Sequence, residues 1–349
     1  MKVQHTLTTL IRTLAVLFTA SVAPTSGLHA QQVSDAISES PVPVITGDFS
    51  FQSTFESGTQ TLSPEFDPTL LVPLGRKLLI ESEFDMSTDL THSDGQWGPA
   101  VVDHGIEYLQ LNYIAHPNLT FTVGRFLTPF GIYRERLHPM WIRNLADEPI
   151  LFAMNDNSSN GAMVRGTARL TSGMNITYAT YFSASTKNNQ LSADRRTGAR
   201  ASLFLPDKRL EVGVSFSRVL GDTRYNMLGT DVTWNLKRIP LDLRAEAIQT
   251  TMLGRAYWVE AAYRLDRLGR NAFWRNSLLA VRGEQYRVPA ISQTLLDELP
   301  DRNTSRSTLG WTYSLYNGVR FNASYGRNFA QADNHNIFTV GLTYRFAAY

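Results

Sequence analysis

The sequence predicts an all-β fold, an antiparallel up-and-down barrel of about sixteen strands that crosses a membrane. Three observations lead to this prediction. Apolar and polar residues alternate along many short segments, which is the pattern of strands with two different faces. The polar faces carry Arg and Glu, charges that a dry protein core would not tolerate. Short and long connections also alternate along the chain, as they do when turns lie on opposite sides of a membrane.

The first thirty residues have the features of a secretory signal peptide. Lys2 and Arg12 precede an apolar run at 14–23, and small residues lead to a cleavage point after Ala30. The apolar run is too short to span a bilayer as a helix. We therefore expect a signal peptide at 1–30, a short periplasmic leader at 31–45 and a barrel at 46–349.

Composition narrows the classes of function. Without Lys2 and Arg12, the mature chain has 31 Lys and Arg against 31 Asp and Glu, so its formal net charge is zero. This balance argues against a nucleic-acid partner, which requires a strongly basic surface. The chain has no cysteine. It therefore has no disulfide, no thiolate metal site and no cysteine nucleophile.

The alternation is clearest between Arg76 and Thr88, where Ile80 and Phe84 point one way and Glu81 and Glu83 the other. Residues 66–74 are a weaker strand candidate, because Pro68 and Pro73 interrupt them. The last strand has Phe338, Val340 and Leu342 on one face. Counting the weak early strands gives sixteen, an even number that places both chain ends in the periplasm.

The longest segment without strand alternation runs from Leu127 to Asn160, and its prolines exclude a long helix. A loop of this length in a compact fold usually has a function. We expect it to fold into the lumen and narrow it. The predicted constriction residues are Arg125, Tyr133, Arg134, Arg136, Trp141 and Arg143. In the alternative interpretation, the loop arginines pair with Glu135, Asp147 and Glu148 and only brace the barrel.

Charged residues on the polar faces are the predicted pore lining, where channel water would solvate them. They are Glu81, Glu83, Asp85, Arg165, Arg169, Arg200, Arg244, Glu246, Glu260, Arg264, Arg282 and Arg320. Arginine suits such a role, because its guanidinium stays charged and binds carboxylates or anions with two hydrogen bonds. The alternative is that these residues are cross-strand pairs that stabilise the wall.

The motif Gly124-Arg125-Phe126-Leu127-Thr128-Pro129-Phe130-Gly131 closes an early strand and opens the long loop. It resembles a segment at a similar place in the phosphate-selective porin family, porins O and P. The resemblance implies a trimeric, sixteen-stranded barrel. This chain departs from the family in its basic residues, which are nearly all Arg rather than an inward lysine cluster.

The predicted function is an outer-membrane porin of a Gram-negative bacterium, a passive diffusion channel for small hydrophilic solutes, including anions such as phosphate. Its expected partners are outer-membrane lipid, the solute and two further copies of itself in a homotrimer. A non-conducting structural or docking barrel is the alternative, and an outer-membrane hydrolase is a third candidate. The histidines of the mature chain are isolated, so the sequence predicts no catalytic residue, metal site or cofactor.

Overall fold

The computed structural model describes residues 42–155, 158–170, 173–188, 191–221, 223–289, 299–315, 318–330 and 334–348. The predicted signal peptide and residues 31–41 of the predicted leader lie outside the described residues. The first strand begins at Val44, just before the predicted start of the barrel.

The described residues form sixteen long strands and one two-residue strand. They are β1 Val44–Glu56, β2 Thr59–Leu74, β3 Leu78–Ser93, β4 Gln96–Trp97, β5 Val101–His116, β6 Leu119–Phe126, β7 Ser159–Arg169, β8 Asn175–Ala184, β9 Arg196–Leu205, β10 Leu210–Leu220, β11 Arg224–Asn235, β12 Leu241–Thr250, β13 Arg255–Arg264, β14 Ser277–Arg287, β15 Thr304–Ser314, β16 Val319–Ala330 and β17 His335–Ala348.

Neighbouring long strands pair antiparallel in chain order, and β1 pairs with both β2 and β17. The sheet therefore closes on itself. The short strand β4 pairs only with the end of β3 and is not part of the ring, so β3 pairs with β5. The predicted all-β barrel of sixteen antiparallel strands is confirmed.

The two faces of the strands differ as the alternation predicts. On β10, Val214 and Phe216 are exposed whereas Ser215 and Ser217 are buried. On β17, Leu342 is exposed. Apolar side chains thus cover the outside of the barrel and polar ones its inside, the reverse of a water-soluble barrel. This is the arrangement that a lipid environment stabilises.

Strand β2 is present despite its prolines, and it is longer than the sequence predicts. Its ladder with β3 has no pairs at Pro64, Asp67 or Pro68, because proline has no N–H to donate. On the other side, Gly47 of β1 lies opposite Pro68. Its φ is +150°, and a Cβ there would come within 2.1 Å of the Asp67 carbonyl oxygen. Glycine therefore allows β1 to approach this irregular strand.

Regular structure between the strands is short. Between β6 and β7 lie helix α1, Tyr133–Arg136, and two 3-10 turns, Met140–Ile142 and Ile150–Met154. Pro139 and Pro149 directly precede these turns. Between β13 and β14 lie a 3-10 turn, Leu265–Arg267, and helix α2, Ala272–Asn276. In the described part of the chain, no helix has the length and apolar character needed to cross a bilayer.

Candidate functional site

The segment between β6 and β7, residues 127–158, packs against inward-facing side chains of the barrel wall; we call it the long loop. Phe130, Ile132 and Leu151 of the long loop are buried in one apolar cluster with Ile248 of β12 and Trp258 of β13. Ile248 and Trp258 alternate with outward-facing residues, so the cluster lies inside the barrel. Burial of these apolar side chains stabilises the loop against the wall.

The start of the long loop is held by its backbone. The N–H groups of Ile132 and Tyr133 donate to Glu246 Oε2 at 3.2 and 3.1 Å, and the N–H of Gly131 donates to Ser215 Oγ at 3.0 Å. Gly131 has a φ of +66°, and a Cβ there would lie 1.7 Å from Glu246 Oε1. Only glycine leaves room for this carboxylate, which accounts for the last residue of the Gly124–Gly131 motif.

The long loop also reaches the facing wall. Arg134 Nη2 lies 2.6 Å from Glu107 Oε2 of β5, whereas Asn144 Nδ2 donates to Glu260 Oε1 of β13 at 2.8 Å. Strands β5 and β13 are eight strands apart in the ring of sixteen. They therefore face each other, and the long loop contacts inward-facing groups on both.

The predicted constriction arginines have different environments. Arg134 and Arg143 are buried, and Arg143 donates to the carbonyl oxygens of Leu137 and His138 and pairs with Glu148 at 2.9 Å. Arg134 ties the loop to β5, whereas Arg143 joins two parts of the loop through Glu148, which is one of the acids named in the bracing alternative. Arg136 is different, because it pairs with Glu211 of β10 at 2.7 Å and keeps contact with solvent.

The other two acids named in the bracing alternative, Glu135 and Asp147, have wall residues as partners. Glu135 pairs with Arg165 of β7 at 2.8 Å. Asp147 accepts hydrogen bonds from the hydroxyl groups of Ser324 and Thr339 at 2.6 and 2.7 Å. Both acids therefore tie the long loop to the wall rather than to its own arginines.

The aromatic candidates are also packed. Tyr133 is buried, with its ring edge-on to Phe152 and Trp258. The guanidinium of Arg345 lies over the Trp141 ring, 4.0 Å from its centroid, a cation–π contact. Neither aromatic is a free surface for a solute in this conformation.

Arg125 is not in the lumen. It lies opposite Leu109, an exposed residue of the outer face, and its guanidinium donates to the carbonyl oxygens of Ile106 and Ser192 and to Asn160 Oδ1. The prediction that Arg125 belongs to the constriction is therefore wrong. The strand β6 continues through this residue, and the alternation turns its side chain outward.

Much of the predicted lining is buried rather than wetted, because the long loop packs on it. Arg200 pairs with Asp231 at 2.7 Å, and Arg282 pairs with Glu284 at 3.0 Å and with Glu260 at 3.9 Å. The predicted lining residues that the structure buries are Glu83, Arg200, Glu246, Glu260 and Arg282. For these residues the prediction of contact with channel water is wrong. Among their contacts, Arg282 with Glu260 is a directly opposed cross-strand pair, whereas Glu284 lies on the same strand as Arg282. Asp231 lies two strands from Arg200.

The remaining lining residues keep some contact with solvent. They are Glu81, Asp85, Arg165, Arg169, Arg244, Arg264 and Arg320. Glu81 accepts hydrogen bonds from Gln110 and Asn112 of β5 at 2.6 and 2.7 Å. Arg244 lies opposite Glu260 in the ladder, and Arg320 donates to the carbonyl oxygen of Trp141.

In three ion pairs inside the barrel, the arginine is more exposed than its acid. The exposed fractions are 36% and 15% for Arg136 and Glu211, 42% and 13% for Arg165 and Glu135, and 45% and 19% for Arg264 and Asp242. A solute that approaches these pairs meets the guanidinium first. At these three pairs the inner surface presents positive charge to the solvent.

Sequence reasoning missed Glu107 and His138. The ladder of β5 with β3 shifts between Glu83 and Phe84, which leaves Glu107 as an extra, unpaired residue of β5. Such a bulge can turn a side chain away from the regular alternation. Here it allows the Glu107 carboxylate to pair with Arg134. Nothing in the local alternation indicates the bulge, and His138 has its partner, Glu83, far away in sequence.

The contact between His138 and Glu83 predicts a pH dependence. Its Nε2 lies 2.9 Å from Glu83 Oε1. Burial disfavours the imidazolium, but the hydrogen bond to Glu83 and the charge of Glu107 outweigh burial and the repulsion from Arg134, so the pKa of His138 is raised. The stabilisation is therefore complete below the ordinary histidine value, about 6.5, and is lost as the pH rises through the raised value.

We expect the long loop to become more accessible to protease as the pH rises from below the ordinary histidine value through the raised pKa of His138. The H138Q variant should lack this dependence, because its amide does not titrate. Limited proteolysis of both proteins in detergent over this pH range checks the prediction. Equal pH profiles for the two proteins would show that His138 does not hold the loop.

No family model matches the chain, and no curated protein matches it. The phosphate-selective porin family therefore stays a prediction. The fold has many matches among solved structures. OmpF of Salmonella typhi, in complex with daunomycin, matches with a TM-score of 0.57 and 13% identity over 87% of this chain and 97% of that one.

Two further porins are similar at the level of fold. An anion-selective porin from Comamonas acidovorans has a TM-score of 0.54 and 13% identity, over 87% of this chain and 99% of that one. The outer-membrane channel DcaP of Acinetobacter baumannii has a TM-score of 0.52 and 11% identity, over 87% and 97%. At these identities the likeness shows the fold alone, and it carries no information about the residues of the site.

Proposed function

We propose that this protein is a passive diffusion channel for small hydrophilic solutes in the outer membrane of a Gram-negative bacterium. The proposal rests on a closed porin barrel with an apolar outside and a polar inside. A ring of sixteen strands is wide enough to enclose an aqueous channel. In this proposal the long loop sets the aperture, because it contacts inward-facing residues of opposite strands.

The solutes that we propose are small anions. One observation supports this class: Arg136, Arg165 and Arg264 are more exposed than the acids they pair with. Each guanidinium offers N–H groups to an anion while its carboxylate lies deeper in the wall. Several anions share this chemistry, and nothing in the arrangement selects phosphate among them.

Single-channel recording of the purified protein in a planar bilayer, under a salt gradient, tests this proposal. We expect ion-conducting steps. The reversal potential should lie closer to the equilibrium potential of the anion than to that of the cation. The variant R136Q/R165Q/R264Q should reduce the anion-to-cation permeability ratio about three- to tenfold, since exposed charges around a pore set its ion preference.

The control for this experiment is R302Q. Arg302 lies between β14 and β15, is similarly exposed, and is bonded to the more exposed Asp301. Removal of this charge should leave the permeability ratio unchanged. A triple variant with the wild-type ratio would refute the anion proposal, although steps of normal size would still support a channel.

The second candidate function is a non-conducting structural or docking barrel. The observation that favours it is the burial of charged wall residues beneath the long loop, among them Glu246, Glu260 and Arg282. A lumen that is filled in this way could serve as a rigid scaffold. The same recordings decide between the two functions, because protein that inserts into the bilayer without conducting steps favours the scaffold.

The homotrimer also remains a proposal. The resemblance to the phosphate-selective porins implies it, and an exposed apolar wall can be covered either by lipid or by neighbouring copies. Light scattering with detergent-mass correction distinguishes a trimer from a monomer.

A further inference from the structure

Three carboxylates from two strands meet on the inner face of the barrel, and a fourth on the neighbouring strand β1 lies opposite one of them, an arrangement that the isolated strand patterns do not reveal. Oxygens of Glu65 and Asp67 of β2 and of Asp85 of β3 all lie within 4.8 Å of one another. Asp48 of β1 lies directly opposite Asp67 in the ladder, where side chains on one face of a sheet are in contact range.

The acids of the cluster have no ion-pair partner among the described residues. In the described part of the chain, no ion pair joins any of the four acids to arginine, lysine or histidine. Arg345 lies opposite Asp48 in the ladder, but its guanidinium lies over the Trp141 ring. Of the loop cations nearby, His138 is held by Glu83 and Arg143 by Glu148. Like charges this close repel one another unless a cation or protons lie between them.

Three of the acids have a buried oxygen without a hydrogen-bond partner, and two of these acids are almost wholly buried. Asp48 is 2% exposed and Asp67 is 8% exposed. The atoms Oδ2 of Asp48 and Oδ1 of Asp67, together with Oδ1 of Asp85, have no partner. A buried carboxylate oxygen without a partner is costly. Asp48 is not one of the three clustered acids, so its unpartnered oxygen is a separate indication that a ligand belongs here.

We propose that Asp48, Glu65, Asp67 and Asp85 bind one calcium ion. Calcium takes six to eight oxygen ligands at about 2.3–2.6 Å, so two ligands of one ion lie at most about 5 Å apart, as the clustered oxygens do. The Ser50 hydroxyl, which donates to Glu65 Oε2 at 3.2 Å, fixes one of the carboxylates. Magnesium fits less well, because it requires a tighter octahedron and retains its waters.

The position of the site suggests what the ion does. The β2–β3 ladder has no pairs at Asp67 and Pro68, so backbone hydrogen bonds do not join the strands there. An ion shared by acids of β1, β2 and β3 links the strands at this gap. The site is independent of conduction, since it would stabilise a channel and a closed barrel alike.

Calorimetric titration of calcium chloride into EDTA-treated protein in detergent tests the proposal. We expect one calcium ion per chain, weaker binding of magnesium, and a higher melting temperature with calcium, because a ligand of the folded state stabilises it. The D67N variant should bind calcium about tenfold more weakly or not at all, since affinity depends on the number of charged ligands. The control is D207N, in the exposed turn between β9 and β10, which should bind as the wild type does.

Three results would overturn the proposal. One is the absence of saturable calcium binding to the wild-type protein, a test that needs no variant to fold. A second is a melting temperature that does not change with calcium but falls as the pH rises, which would show that the carboxyl groups share protons instead of a metal ion. A third is equal calcium affinity in D67N and wild type, which would place any bound calcium elsewhere.

Discussion

Replacement of the long loop by a short Asn-Gly turn is expected to raise the single-channel conductance on the order of tenfold, because an unfilled sixteen-stranded barrel encloses a wide aqueous channel. Phe126 and Ser159 are opposite each other in the β6–β7 ladder, so a two-residue turn can join the strands. To keep the uncovered wall polar, the variant also carries I248S and W258S. Planar-bilayer recording gives the conductance.

The matched controls separate the loop from the other changes. One is the I248S/W258S protein with its long loop intact, which loses apolar contacts to the loop and measures the effect of these two substitutions alone. The other has residues 266–275 shortened between β13 and β14, and it should conduct within about twofold of the wild type, because the long loop still narrows its lumen. If the loop-free barrel conducted no more than these controls, the loop would not set the aperture.

Substitution of Glu284 is expected to cause the largest loss of stability among single changes in the wall. Glu284 accepts from Arg282 Nε at 3.0 Å, from Arg306 Nε at 2.8 Å and from the Ile150 N–H at 2.7 Å. The E284A change leaves a buried guanidinium at Arg282 without this partner. We expect a cost of about 3–5 kcal/mol in the free energy of unfolding, typical of a broken buried ion pair.

Denaturant unfolding in detergent or lipid vesicles, followed by tryptophan fluorescence, measures this cost. The comparison protein is D266N, which removes an acid from the exposed 3-10 turn between β13 and β14 and should change the free energy of unfolding by less than about 0.5 kcal/mol. The double variant E284A/R282M should recover part of the loss, since an apolar side chain needs no counter-ion. An E284A cost below about 1 kcal/mol would mean that water reaches Arg282.

Sequence patterns were sufficient to predict the wall of the barrel, because the alternation within each strand shows which of its two faces is apolar. The alternation around Val214 and Leu342 places apolar groups outside, as the structure does. The break at Pro68 made β2 weak as a strand candidate, yet the strand forms because pairing with β1 on its other side is uninterrupted. Pairing with a neighbouring strand thus overrides the low strand propensity of proline.

Which side chains are buried inside the barrel depends on contacts between residues that are distant in sequence. Arg125 and Arg134 look alike as basic residues near Gly131, but one faces outward on β6 and the other is buried against the bulged Glu107. The burial of Glu246 and Arg282 likewise follows from where the long loop packs. No periodicity within a strand carries that information.

The sequence by itself determined the fold class, the number of long strands and which face of each strand is apolar, because a period of two residues is a local property of the backbone. Only the tertiary structure decided which charges stay in water, which are buried beneath the loop, and that Asp48, Glu65, Asp67 and Asp85 meet. Those outcomes depend on strand register and on the path of one long segment through the interior, and both are set by packing between parts of the chain that are far apart in sequence.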